Sequence, residues 1–307
     1  MSVIGIRAHD GGMLAGDHYP AATDSLDGPL GRPCVVMAHG VGATRDCGLD
    51  EFASGFARAG ADVITFDYRN FAGSSGEPRQ LVNLRGQLSD YRSAVAYARR
   101  LPGVDPDRIV VWGVSLSGGH VLEVAAHDPR IAAVISVTPA VDGLAAVAQI
   151  VRAHGVFHVG RLCARGVVDR IGAAIGRQPL MLPIVARPGA PGALTSPGAS
   201  ERMHAIAGPT WRNAIAARLL LRIGLYRPAR RSAIACPILM QIAENDQSAP
   251  PAAAERAAVR LRAMVRRYPA DHFDVYPGGP VYDRILAHQC AFLHQVFADT
   301  KTLAVTA

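Results

Sequence analysis

The sequence predicts an α/β protein with a mostly parallel, doubly wound sheet, and three observations carry that expectation. Short β-branched apolar runs alternate with stretches of helical periodicity as far as Val137. One of these runs, Ile109 to Trp112, feeds the glycine-rich turn Gly113-Val114-Ser115-Leu116-Ser117-Gly118-Gly119, and a helical stretch, His120 to Ala126, follows it. The alternation stops between 143 and 235 and then resumes, which marks a segment inserted into an otherwise regular sheet. With 307 residues, 50% hydrophobic and 19% charged, the chain has a globular composition. It is long enough for one large α/β domain with an insertion, or for two ordinary domains.

The elements follow in order. Val3 to Arg7 and Met13 to Tyr19 flank the turn signal Asp10-Gly11-Gly12 and read as an antiparallel hairpin. Gly28 to Pro33 breaks the chain before a buried strand, Cys34 to Ala38, which runs into His39-Gly40-Val41-Gly42. Phe52, Phe56 and Ala59 share a helical face, and Gly60 ends that helix. Ala61 to Phe66 is the next strand. Leu84, Leu88, Tyr91, Val95 and Ala98 recur at helical spacing, with Asn83 as N-cap and Pro102 as a stop. A turn over Val104 to Arg108 delivers the chain into the strand at Ile109, and Ile131 to Val137 is the sixth strand. Right-handed crossovers make such a sheet mostly parallel.

Beyond the sixth strand, helix-like pieces such as Ala214 to Ile223 surround the Pro- and Gly-rich stretch Arg187 to Gly192. The sheet resumes with Cys236 to Ala243, followed by the loop Glu244-Asn245-Asp246-Gln247-Ser248-Ala249-Pro250. An alanine-rich helix, Ala252 to Leu261, leads to a last strand, Met264 to Tyr268. Then come Asp271-His272-Phe273 and a closing helix from about Val281. The division expected is therefore a core in two parts, 1–142 and 236–307, around an insertion at 143–235.

In a strand-turn-helix of this kind the turn residue is held in a strained backbone conformation and its side chain stands clear at the carboxyl edge of the sheet. Ser115 occupies that position. Strand and helix pass close together there, so the flanking residues must be small, and Gly113 and Ser117 supply the room. The bland alternative is a tightly packed glycine-rich turn without chemistry.

The motif Gly113-Val114-Ser115-Leu116-Ser117 resembles G-x-S-x-G, the nucleophile elbow of the α/β-hydrolase superfamily. Ser117 replaces the final glycine, a small step that predicts a surviving elbow with slightly altered helix packing. The resemblance implies a sheet of the α/β-hydrolase type with a mainly helical cap inserted after the sixth strand and a mobile loop near Pro188 to Ser200. It makes Ser115 the nucleophile, and it places the oxyanion-hole N–H groups at Val41, in the His-Gly loop, and at Leu116. His39 is then a loop organiser. Asp67 to Gly76 resembles the superfamily's D-x-R-x-x-G-x-S loop, with a structural role beside the nucleophile. Asp246 matches the triad acid, with Glu244 as runner-up and Asp142 as a remoter option. His272 matches the general base, and the order Ser115, Asp246, His272 is the family's order. His288 and His294 read as helix-packing or surface residues, and His154 and His158 have no spacing partner that makes them metal ligands.

Charge divides along the same seam. Between 143 and 235 stand thirteen arginines, Arg231 among them, against Asp169 and Glu201, a local balance of +11. The whole chain carries +7, so the remainder is −4. Lys301 is the sole lysine, and guanidinium groups suit forked contacts with carboxylate or phosphate. The bland reading is a compositional bias toward arginine, with these side chains merely solvated. Five widely spaced cysteines form no C-x-x-C pair and suit a reducing compartment. The start, MSVIGIRAHD, lacks the pattern of a secretion signal, and the apolar runs are too short to span a bilayer. A cytoplasmic protein is expected.

The resemblance implies a serine hydrolase acting on a carboxylic ester, with no cofactor and no metal. Thioester cleavage, amide cleavage, acyl transfer or cyclisation use the same triad, and a catalytically silent binding protein is the rival from another class. The expected partner is a small acyl substrate; the arginine-rich insertion keeps an anionic one in view. Basicity alone favours nucleic acid weakly, and no recognition motif supports it. The apolar residues of the closing helix leave a homodimer open.

Overall fold

A computed structural model describes residues 1–230 and 233–304, with side chains as far as 298. Arg231 and the side chain of Lys301 thus lie outside the described residues. The organising feature is an eight-stranded sheet. Strands β1 (Ser2–Arg7) and β2 (Met13–Tyr19) form the antiparallel hairpin, with Ser2 opposite His18. β3 (Arg32–Ala38), β4 (Asp62–Phe66), β5 (Val104–Val114) and β6 (Ile131–Val137) follow, and β9 (Ile238–Ala243) and β10 (Met264–Tyr268) complete it. The spatial order is β1-β2-β4-β3-β5-β6-β9-β10, and every neighbouring pair from β4 to β10 is parallel. Strands buried on both faces need no alternation, so β3, β5 and β6 read as nearly continuous apolar runs.

Helices α1 (Leu49–Arg58), α2 (Leu84–Ala98), α3 (Leu116–His127), α8 (Pro251–Leu261) and α9 (Tyr282–Ala304) cover the sheet. The Asn83 side chain caps α2 by accepting from Gly86 N at 3.1 Å. At the centre, Trp112 Nε1 of β5 donates to Gln289 Oε1 of α9 at 3.2 Å. Gln289 Nε2 donates in turn to Gln241 Oε1 of β9 at 2.6 Å. This satisfied polar chain crosses an apolar core and fixes how α9 docks.

Between β6 and β9 the chain leaves the sheet. It forms α4 (Gly143–His154), α5 (Val156–Ala174), α6 (Ala199–Ile206) and a short α7 (Leu220–Ile223). A two-stranded antiparallel ladder joins β7 (Met181–Leu182) to β8 (Ile215–Ala216). No helix among the described residues is long and apolar enough to cross a membrane.

Three local expectations are corrected. Ala214 to Ile223 is not one helix, because Ile215 and Ala216 pair with β7 and a 3-10 turn at Ala217–Leu219 intervenes before α7. Val104 to Arg108 is not a free turn but a bulged extension of β5, with Val104 opposite Arg32 and an irregularity before Ile109 pairs with Cys34. Helix α3 starts at Leu116, directly after the turn residue, rather than near His120.

Candidate active site

Ser115 sits between β5 and α3 with φ 58° and ψ −118°, a conformation costly for a residue with a side chain. The surroundings hold it there. Ser115 N donates to Val137 O at 2.9 Å, and its carbonyl accepts from Ala140 N at 2.9 Å. Gly113 is required by contact: a Cβ at that position would stand 2.2 Å from the Ser117 carbonyl oxygen. Strand and helix therefore pass as closely as the small flanking residues predict.

The serine at 117 is put to use. Its hydroxyl donates to the His39 carbonyl in a short contact, which leaves its oxygen to accept from the Tyr68 hydroxyl at 2.7 Å. Tyr68 thus joins the Asp67 to Gly76 loop to the elbow. That loop is anchored in turn: Asp67 accepts from Arg45 N at 2.7 Å and faces the Arg45 guanidinium, while Arg69 Nη2 pairs with Asp90 at 2.6 Å. Burial nevertheless pushes the Asp67 carboxyl up to about 6, against the pull of Arg45.

The loops after β9 and β10 bring two further groups to Ser115. His272 Nε2 lies 3.1 Å from Ser115 Oγ, and His272 Nδ1 lies 2.6 Å from Asp246 Oδ2. The other carboxylate oxygen, Asp246 Oδ1, accepts from Ser248 N and Ala249 N, both at 2.7 Å. Ser115, Asp246 and His272 are all buried. The three residues are separated by up to 157 positions in the chain, yet each stands at the carboxyl end of a parallel strand, where an open α/β sheet places its sites.

The His39 loop closes the other side. Gly40 N donates to His39 Nδ1 at 2.8 Å, and His39 Nε2 donates to Cys47 O at 2.9 Å, which fixes a neutral imidazole. Burial lowers its pKa to about 4. Gly40 is confined, since a Cβ there would stand 2.9 Å from Ser115 Cβ. Among the described residues, neither Val41 N–H nor Leu116 N–H has a protein acceptor, and they flank Ser115 from the loop and from the first position of α3.

A narrow cleft opens onto Ser115. Val41 and Phe273 form part of its wall, and the chain between β6 and β9 supplies Ile184, Leu194 and Met203. Tyr276 lines it too and stacks on His39, with ring centroids 5.4 Å apart and an 8° interplanar angle.

The remaining candidates lie elsewhere. Glu244 is exposed, and its backbone N–H bonds to Tyr268 O. Asp142 caps α4 by accepting from Leu144 N at 3.1 Å and Ala145 N at 3.2 Å, and it faces Arg227 at 3.4 Å. His154 and His158 lie together in the insertion with ring centroids 5.0 Å apart, and His288 bonds to the Tyr268 hydroxyl at 2.7 Å. Several insertion arginines have partners within the protein, as Arg218 does with buried Asp169 at 2.7 Å. Tyr276, Ile184, Leu194 and Met203 carry no motif, and only the fold brings them to the cleft at Ser115.

A family model described as alpha/beta hydrolase fold matches residues 33–164. The chain is 37% identical over 271 residues to the quorum-quenching protein AidA of Acinetobacter baumannii (strain MDR-ZJ06), covering 87% of this chain and 88% of that one. It is 40% identical over 115 residues to the thiohydrolase aneE of Aspergillus aculeatus, covering 38% of this chain and 36% of that one. Among solved structures it resembles the alpha/beta hydrolase GrgF from Penicillium sp. sh18, with a TM-score of 0.77, 24% identity, and coverage of 97% of this chain and 99% of that one. The chain belongs to the α/β-hydrolase fold family.

Proposed function

We propose that the protein is a serine hydrolase that cleaves a carboxylic ester through an acyl-enzyme on Ser115. One observation carries the reading: the continuous contact from Ser115 Oγ to His272 Nε2, and from His272 Nδ1 to Asp246 Oδ2, at 3.1 and 2.6 Å. His272 takes the hydroxyl proton as Ser115 Oγ attacks the ester carbonyl, and Asp246 holds the imidazole tautomer and stabilises its charged form. The N–H groups of Val41 and Leu116 receive the oxyanion. His272 then protonates the leaving alcohol. Water, deprotonated by the same imidazole, attacks the acyl carbon and releases the acid with Ser115 restored. The cycle balances without a metal or organic cofactor.

In this reading 1–142 and 236–307 form the hydrolase core, and 143–235 acts as a cap. Ile184, Leu194 and Met203 support that role by walling the cleft. Their apolar surfaces favour an apolar acyl group. The similarity to a quorum-quenching protein brings quorum-signalling molecules into the panel of substrates to be tried. A second reading, thioester cleavage, draws on the similarity to a thiohydrolase and on the insertion's arginine surplus. Oxoesters and thioesters of one acyl chain, compared at two salt concentrations, separate the two readings.

The deciding experiment is reaction with a fluorophosphonate probe followed by peptide mass analysis. A single adduct on Ser115, lost in Ser115→Ala and His272→Ala, is the expected result. Absence of both labelling and turnover across esters, thioesters and amides refutes the reading and leaves a silent binding protein.

A further inference from the structure

We infer that the segment between β6 and β9 holds the acid and base loops in register directly, through Gln149 and Arg202, so that its seating and the alignment of His272 with Ser115 are one event. The inference rests on the serine-hydrolase reading above.

Asp274 stands two residues beyond His272 and is 6% exposed. One of its oxygens, Oδ2, accepts from Asp271 N at 2.8 Å and so closes the short loop that carries His272. The other, Oδ1, makes a close ion contact with Arg202 Nη1 on α6, without hydrogen-bond geometry, and has no other partner among the described residues. A buried carboxylate oxygen without compensation is costly. If the guanidinium leaves, this oxygen has to reach water, and it carries the His272 loop with it. The next residue on α6, Met203, forms part of the cleft wall, so one helix both shapes the cleft and pins the base loop.

The acid loop has its own tie. Gln149 Nε2 on α4 donates to the main-chain carbonyl of Asp246 at 3.3 Å. Two helices of one insertion thus reach the two loops whose mutual position sets the His272–Asp246 contact. Neither side chain touches a reacting atom, so both are positioning residues. Their effect falls on kcat, because the acyl-facing residues Ile184, Leu194, Met203 and Val41 stay in place when Gln149 and Arg202 are cut back.

The experiment compares steady-state turnover of a p-nitrophenyl acyl ester, and the rate of fluorophosphonate labelling, in wild type, Arg202→Met, Arg202→Lys and Gln149→Leu. Arg202→Met is expected to lower kcat and the labelling rate together by about 10- to 100-fold. KM is expected to stay within about 2-fold. Arg202→Lys, which keeps the charge, is expected to recover most of the loss, and Gln149→Leu to show a smaller loss of the same kind. The inference is overturned if kcat in Arg202→Met stays at the wild-type value, if the loss lies in KM, or if Arg202→Lys is as impaired as Arg202→Met. Failure of the underlying reading has a separate signature: full turnover in Ser115→Ala. Arg202 is 44% exposed in its side chain, so these variants are expected to fold.

Discussion

The Ser117 hydroxyl donates to the main-chain carbonyl of His39, so the first turn of α3 is bonded to the loop that lies over Ser115 from the opposite side. Restoring the family's glycine with Ser117→Gly removes this bond and leaves the buried Tyr68 hydroxyl without its partner. A loss of about 1–3 kcal/mol in unfolding free energy is expected from urea denaturation. Fluorophosphonate labelling at Ser115 should persist. Unchanged stability would show that these bonds contribute nothing net.

Gly40 lies against Ser115 itself. In Gly40→Ala the new methyl must displace Ser115 Cβ or the loop, since 2.9 Å is too close for two carbons. A fall in kcat of about 100-fold is expected, with far-UV circular dichroism unchanged. Wild-type kinetics in this variant would show that the loop yields freely.

The two neighbouring carboxylates separate cleanly. Asp246 contacts His272 and Glu244 is exposed. Asp246→Asn is expected to lower kcat by about 10⁴-fold, because the amide favours the wrong imidazole tautomer. Glu244→Gln should retain wild-type kcat. The reverse pattern, read from initial rates on one ester, would make Glu244 the acid.

His120 gives a pH signature away from the chemistry. It donates to Gln87 Oε1 at 3.1 Å and accepts from the Tyr226 hydroxyl at 2.6 Å, and burial lowers its pKa to about 3. The unfolded chain binds a proton at this residue below the ordinary value of 6.5, and the folded chain does not until about 3. Between those values the unfolded state holds more protons, so this residue's contribution to stability falls as pH is lowered. Above that window the contribution is flat. His120→Gln should therefore give a shallower dependence of unfolding free energy on pH across the window, measured by urea denaturation at stepped pH. Parallel curves for the two proteins would exclude a neutral buried His120.

What could be read from sequence was set by local physics. The strands, the hairpin, the Asn83 cap and the elbow each declare themselves within a few residues, through burial patterns, turn chemistry or the spacing of small residues. The turn read at Val104 to Arg108 failed because Asp-Pro-Asp signals a turn locally, while pairing with Arg32 extends the strand. Ala214 to Ile223 failed for a similar reason: its apolar residues suit a helix, and tertiary pairing with Met181 and Leu182 overrides that preference. Apart from Ser115, Asp246 and His272, which the family resemblance names together, side-chain pairings over long separations left no trace. Tyr226 and His120 stand 106 residues apart, and nothing near either names the other.

The insertion leaves the sheet at β6 and rejoins it at β9, and these strands are immediate neighbours, with Val134 opposite Ile238. The two strands are parallel, so the chain leaves at Val137 and re-enters at Ile238; its two roots are offset along the strands as well as across them, on the order of 10 Å apart. A segment rooted at a single seam can lengthen, shrink or be exchanged without re-registering any pair of strands. Such an exchange would alter what reaches Ser115 while leaving the elbow intact. A graft at this seam would still have to bring a donor to the Asp246 carbonyl, a cation to Asp274 and a hydroxyl to buried His120, where Tyr226 now stands, and any replacement must be judged by those contacts.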